Sequence, residues 1–357
     1  MFSELTQKLD SYLDIGLPFY DCAVMQDGKT VYRHANGYTD PHKTQPVTGQ
    51  ELYNIYSCTK LITCTAALQL LEKGMFLLDD KLSDYMPEFK QMTVRCSEDL
   101  VPSKNPILIR HLFTMTAGFS YNLYSPMLNS CREETNGVCQ TRDVMQYLAK
   151  EPLLFEPGER WEYSLCHDVL AALIEVLTGD TFGSYVKKNI FDPLGMMRST
   201  FLLEDDQLGA IVNQYAYSTE KSIYERDRRI DYKLGSAYES GGAGCISTVD
   251  DYLKFLEALR CGNQILKQET VDLMATEQLS QTQRRTYWNQ DYGYGLGQRC
   301  PMNENKSDFG WGGAAGAYYA VDRKNRISVY LATHILGFGA YQERRGEILP
   351  IIQRMLA

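Results

Sequence analysis

No run of 18 apolar residues occurs in this chain, so no segment reads as a membrane span. The opening, Met1-Phe-Ser-Glu-Leu-Thr-Gln-Lys-Leu-Asp, lacks the basic start and long apolar stretch of a signal peptide. It reads instead as an amphipathic helix, and a cytoplasmic location is the expectation. Positive charge is not in excess either. A formal net charge of -9 argues against nucleic acid or an anionic membrane as the partner. Ten cysteines never fall into a Cys-x-x-Cys pair, and no His/Cys set has ligand spacing. Reduced thiols and no metal are therefore expected, although Cys131 and Cys139, flanking Asn136-Gly137, are placed where a bridge could close a loop. No Gly-x-Ser-x-Gly elbow is present, which counts against an α/β-hydrolase. Gly241-Gly-Ala-Gly lacks the strand, spacing and acidic follow-up of a dinucleotide site, so no cofactor is expected.

What the chain does have is Ser57-Cys58-Thr59-Lys60, followed by the apolar run Leu61-Ile62-Thr63-Cys64-Thr65-Ala66-Ala67-Leu68. Residues three apart on a helix share a face, so Ser57 and Lys60 present a hydroxyl and an amine side by side. A serine needs a group to take its proton, and burial at the root of an apolar helix favours a neutral lysine that could do so. The alternative is a capped helix start with a solvated lysine.

At 357 residues the chain fits one large domain or two intertwined ones. Two short strands around Asp27-Gly28 read as a hairpin. From about 60 to 220 the pattern is mostly helical, with Asp168 to Leu177 apolar at helical spacing. Residues 121–141 read as a long loop, of the kind that more often covers a binding site than idles. After 240 come a helix capped by Thr248, two strands (Gly316 to Val321 and Ile327 to Thr333) and a terminal helix beside the first. The expected class is α/β (α+β): an antiparallel sheet flanked by N- and C-terminal helices, with a helical insertion. The expected boundaries are 1–60 with 225–357 for the α/β domain and 61–224 for the helical one.

Several ordered motifs resemble the serine β-lactamase and penicillin-binding-protein superfamily, in its class C-like branch that includes family VIII carboxylesterases. They are Ser57-x-x-Lys60, Phe155-Glu-Pro-Gly-Glu-Arg-Trp-Glu-Tyr163-Ser164, Asp192-Pro-Leu-Gly-Met196, Ser247-Thr248-Val-Asp250-Asp-Tyr252, and Phe309-Gly-Trp311-Gly-Gly313. The resemblance implies a β-lactamase/transpeptidase-like fold, with the site where the two domains meet. Tyr163-Ser164-Leu165 stands where the class C pattern has Tyr-x-Asn, and Trp311-Gly312-Gly313 where it has Lys-Thr-Gly. Both departures remove polar recognition of a β-lactam or acylated D-amino acid. An apolar ring at 311 suits an uncharged acyl or alcohol group.

The resemblance thus implies a serine hydrolase forming an acyl-enzyme at Ser57, with Lys60 and Tyr163 moving its proton and Ala314 and Ser57 N–H groups holding the oxyanion. Trp311, Gly312, Gly313, Leu165 and His167 are the expected substrate-side residues. His111 is expected to be structural and His334 a pocket wall. Tyr121, Tyr124 and Trp288 are either binding-loop residues or exposed aromatics. The expected partner is a small ester or amide, and a carboxylesterase is the first reading. A D-amino-acid peptidase or carboxypeptidase, a β-lactamase, and an inactive binding or assembly protein are the rivals.

Overall fold

The computed structural model describes residues 2–97, 99–203, 205–218, 220, 223–227 and 229–356. Helix α1 (Ser3–Asp14) buries Leu5, Leu9 and Tyr12, the spacing of one helical stripe. Strands β1 (Phe19–Gln26) and β2 (Lys29–Gly37) form the hairpin, and Asp27 and Gly28 both take positive φ, as a two-residue type I′ turn requires. A single turn of 3₁₀ helix (Tyr56–Cys58) then runs into α2 (Thr59–Glu72), which is buried on every side from Thr59 to Leu70. The middle of the chain supplies α3 (Pro126–Glu134), α4 (Thr141–Leu148) and α5 (Cys166–Thr178), the last packed against α2 and closed by Gly179 in the left-handed region. Helix α6 (Val249–Cys261) begins where the Thr248 hydroxyl accepts from the Asp251 N–H. Helix α7 (Ile348–Leu356) lies beside α1.

Five further strands complete the main sheet: β3 (Gly293–Tyr294), β4 (Arg299–Cys300), β5 (Asp308–Gly312), β6 (Tyr318–Asp322) and β7 (Ile327–Ala332). The order is β2-β1-β7-β6-β5-β4-β3, antiparallel throughout. Register assigns the faces. Val24 sits opposite both Tyr32 and Val329, and the Tyr32 hydroxyl meets Thr6 of α1. One residue along β7, Ser328 donates to Glu257 and Tyr330 stacks on Tyr252, both from α6. Side chains alternate along a strand, so α1 and α6 cover opposite faces. This is the β-lactamase/transpeptidase-like fold, with the sheet built from both ends of the sequence.

Two readings of the middle segment need correction. The stretch 121–141 is not a structureless loop, because α3 occupies 126–134. Its start signal was present in Ser125-Pro126: the serine hydroxyl caps the Leu128 N–H, and proline takes the first helical position. The mostly helical stretch also holds a hairpin, Thr93–Cys96 with Asp99–Pro102. Cys131 and Cys139 are free thiols facing each other at 3.3 Å.

The strap from Ser240 to Ser247 is held to α2 and to the segment before it by close backbone contact. Thr63 Oγ1 donates to the Gly241 carbonyl, the Cys245 N–H donates to Thr59 Oγ1, and the Ile55 N–H donates to the Cys245 carbonyl. From the sheet side, the Tyr252 hydroxyl donates to the Cys58 carbonyl at 2.7 Å. Glycine is needed at 241, where a β-carbon would fall 2.7 Å from Ala171 Cβ and against the His167 carbonyl of α5. Gly241→Ala is expected to lower unfolding stability by about 1–3 kcal/mol, the usual cost of overpacking. Gly339→Ala, at a position where a β-carbon meets nothing within 4 Å, is the matched control for thermal unfolding.

Candidate active site

Tyr56 precedes the serine with φ at +49°, an uncommon setting for a bulky residue. Its ring is clamped edge-on to Tyr232, and its hydroxyl donates to Gln214. The next residue, Ser57, is 9 % exposed. Its Oγ lies 2.5 Å from Tyr163 Oη and 3.4 Å from Lys60 Nζ. Lys60, 1 % exposed, also donates to the Gly242 carbonyl at 2.7 Å, and its ammonium stands over the rings of Tyr163 and Tyr121. The structure thus brings Ser57, Lys60 and Tyr163 together.

The charge on Lys60 differs from the sequence expectation of a neutral amine. Burial does pull its pKa down, but attraction to Tyr121, Tyr163 and Asp168 outweighs that, and the net shift is upward. The shift favours the charged form of Lys60, and both the lysine and the Tyr163 hydroxyl aim donors at Ser57 Oγ.

Trp311, one residue before the end of β5, is stacked on Tyr163, with planes 13° apart and centroids at 6.1 Å, and touches Trp288 and Tyr294 on its other sides. Tyr163, Trp311 and Trp288, with Gly312 and Arg345, border a cavity of about 420 Å³. The Arg345 guanidinium donates to the carbonyls of Gly313 and Ala317. Both glycines are required: a β-carbon at 312 would run into Arg345, and one at 313 would stand 2.5 Å from the Ile55 carbonyl, two residues before the serine. Ala314 is exposed at the tip of the turn that follows, and among the described residues nothing accepts a hydrogen bond from its N–H.

Two expected site residues lie elsewhere. Leu165 is 3 % exposed and faces a separate small cavity with Phe119 and Leu148, because the chain turns into α5 right after Tyr163 and carries this apolar side chain into the core. His167 is fully buried behind α2, its Nε2 at 3.5 Å from Cys64 Sγ and 3.4 Å from the Phe113 carbonyl. Burial, with help from the Lys60 charge, pushes its pKa down to about 3, so it is a neutral core imidazole. His111 is likewise buried, accepting the Leu108 N–H at Nδ1. His334 borders a different cavity, beyond Tyr56, and its Nδ1 meets the Val212 carbonyl. Trp288 does border the aromatic cavity, whereas Tyr124 points to Asp231 on the surface.

Sequence reasoning missed Asp168, Arg345 and the placement of Tyr121 against Lys60. An acid in the apolar run of α5 was a usable signal for Asp168, since buried carboxylates need a partner. Arg345 sits 34 residues beyond Trp311 with no local pattern to mark it. Among the described residues, no three His, Cys, Asp or Glu side chains are grouped to hold a metal ion.

The Beta-lactamase family model matches residues 18–350. Esterase EstB of Burkholderia gladioli is 28% identical over 345 residues, covering 87% of this chain and 84% of the relative. Acyltransferase calJ of Penicillium decumbens is 29% identical over 352 residues, covering 87% and 82%. Among solved structures, EstCE1, described as a hydrolase with promiscuous acyltransferase activity, superposes with a TM-score of 0.83 at 24% identity, covering 98% of both chains. A match across nearly the whole chain means that this protein belongs to the beta-lactamase family, as a serine hydrolase of that fold.

Proposed function

We propose that the protein is a carboxylesterase that works through an acyl-enzyme on Ser57. The observation that carries this reading is Ser57 Oγ at 2.5 Å from Tyr163 Oη, beside a buried ammonium and at the edge of an aromatic cavity. With its proton shed, Tyr163 is a phenolate held by Lys60. It takes the Ser57 proton as Oγ attacks the ester carbonyl. The negative oxygen that develops is met by the N–H groups of Ser57 and Ala314, and one such donor is worth roughly 3 kcal/mol. Tyr163 returns the proton to the departing alkoxide as the carbon–oxygen bond breaks. Water then attacks the acyl group by the same route, leaving a carboxylic acid and free Ser57.

The stacked Tyr163 and Trp311, with Trp288 tilted against them, favour an ester with an apolar, flat portion over the polar amides of peptidases and β-lactams. An esterase relative supports hydrolysis, and an acyltransferase relative of similar identity supports a second reading in which an alcohol, rather than water, relieves the acyl-enzyme. The two differ only in that last step.

Ser57→Ala is expected to cut turnover of p-nitrophenyl butyrate by on the order of 10⁴ or more and to abolish fluorophosphonate labelling. A Ser57 that does not label would return the reading to an inactive binding protein. Tyr163→Phe is expected to cost about 10²–10⁴ in kcat while labelling slows in proportion. Nitrocefin and D-alanyl-p-nitroanilide should be turned over far more slowly than the ester; the reverse order would favour the β-lactamase or peptidase reading. Trp311→Ala is expected to raise KM for aryl esters roughly tenfold, equivalent to about 1.4 kcal/mol, with kcat little changed. An unchanged KM would remove the ring from substrate binding.

A further inference from the structure

The carboxylate of Asp168 has no role in the steps above, yet it is built into the floor of the site. It lies on α5 at 1 % exposure. Oδ1 accepts from the Tyr238 hydroxyl at 2.7 Å, the Ser240 hydroxyl at 2.6 Å and the Gly242 N–H at 3.3 Å. Oδ2 is buried with no hydrogen-bond partner among the described residues. It points at the gap between Gly242 and Lys60: the site of a missing Gly242 β-carbon is 2.5 Å from Oδ2 and 3.4 Å from Lys60 Nζ. The two charges can be no farther apart than those distances together. The same residue that donates its N–H to Asp168 offers its carbonyl to Lys60, so a single peptide segment links the pair.

We infer that Asp168 is a positioning residue that acts through Lys60, fixing the strap carbonyl beneath it and supplying the buried negative charge that keeps it an ammonium. This rests on the acyl-enzyme reading. The other titratable groups facing Lys60 cannot supply that charge near neutral pH. Cys58 and Cys64 of its own turn and helix, and Cys166 of α5, are thiols pushed upward by burial. His167 is neutral and Tyr121 is pushed upward by burial, while Tyr163 carries charge only in the part of the cycle in which it has given up its proton, so Asp168 is the standing negative charge. A lone buried ammonium would lose its proton, and Asp168 prevents this.

A fixed negative charge favours the protonated form of the Lys60 amine beside it, so it raises the pH at which Lys60 gives up its proton. Removing the charge moves the alkaline limb of the pH profile toward acid. Asp168→Asn keeps an acceptor for Tyr238, Ser240 and Gly242 while removing the charge. The experiment is the pH dependence of fluorophosphonate labelling at Ser57 in the full-length protein, read as a rate. Wild type and Asp168→Asn are compared with Tyr238→Phe and Ser240→Ala, which loosen the strap but leave the charge. The alkaline limb is expected to move acidward by about one unit or more in Asp168→Asn, as for loss of an opposite charge within a few ångströms. It is expected to stay in place in the two strap variants. A slower Asp168→Asn with an unmoved alkaline limb would overturn the inference, because a purely structural role lowers the height of the profile alone. Should Asp168→Asn not fold, nitrogen NMR of the wild type with labelled lysine decides instead. An ammonium signal for Lys60 up to about pH 9 is expected, and a neutral amine near pH 8 would overturn the inference. Absence of labelling in the wild type would count against the acyl-enzyme reading, while the lysine titration, run on wild type and Asp168→Asn, would still read the effect of Asp168 on Lys60.

Discussion

Keeping one ammonium out of water is the constraint that the rest of this structure answers to. An isolated buried charge costs several kcal/mol, and the cost falls only if its donors are used and an opposite charge is near. Lys60 gets the Gly242 carbonyl, the Ser57 oxygen, the faces of two tyrosines and, through space, Asp168. Those groups come from the 3₁₀ turn before α2, the segment before α3, the turn before α5, α5 itself and the strap after 240. The glycines of the strap follow from the same demand, since side chains at 241 or 242 would hold the backbone away from α5 and from Asp168. Fold and site are therefore one packing problem.

That view also sorts what could be read from the sequence. Ser57, Lys60 and Tyr163 were legible because local spacing and motif order carry them. The alternating strands and the Thr248 cap were legible for the same reason. Leu165 misled because it stands at the asparagine position of the Tyr-x-Asn pattern, and His167 because it lies beside Tyr163 in sequence; the start of α5 turns both side chains into the core. The charge of Lys60 is not legible from its own helix. Burial argues for a neutral amine, and the residues that reverse it lie 61, 103 and 108 positions away at Tyr121, Tyr163 and Asp168. Long-range electrostatics of that kind leave no periodic mark.

The site has two chemically different walls. One is polar and crowded, with Ser57, Lys60 and the Gly242 carbonyl held by backbone contacts. The other is the aromatic surface of Trp311 and Trp288, backed by buried Tyr294, with Arg345 at its edge pinned by the carbonyls of Gly313 and Ala317. Tyr163 belongs to both: its hydroxyl meets Ser57 and its ring stacks on Trp311. A substrate pressed against the aromatic wall therefore bears on the same residue that handles the proton, coupling fit to chemistry through one side chain.

The pairing of β1 with β7 has a consequence for how the chain comes into being. Residues 21–26 find their partners at 327–332, so on the ribosome the first hairpin emerges long before the strand that covers its edge. At roughly 5–20 residues per second, the interval is on the order of 15–60 seconds. Through that time an apolar strand edge stands open while the helical middle is being made, and an open edge is a template for the wrong partner. The two-residue turn that closes the hairpin locally, and the early helix α1 that covers one of its faces, are what the nascent chain has to guard it.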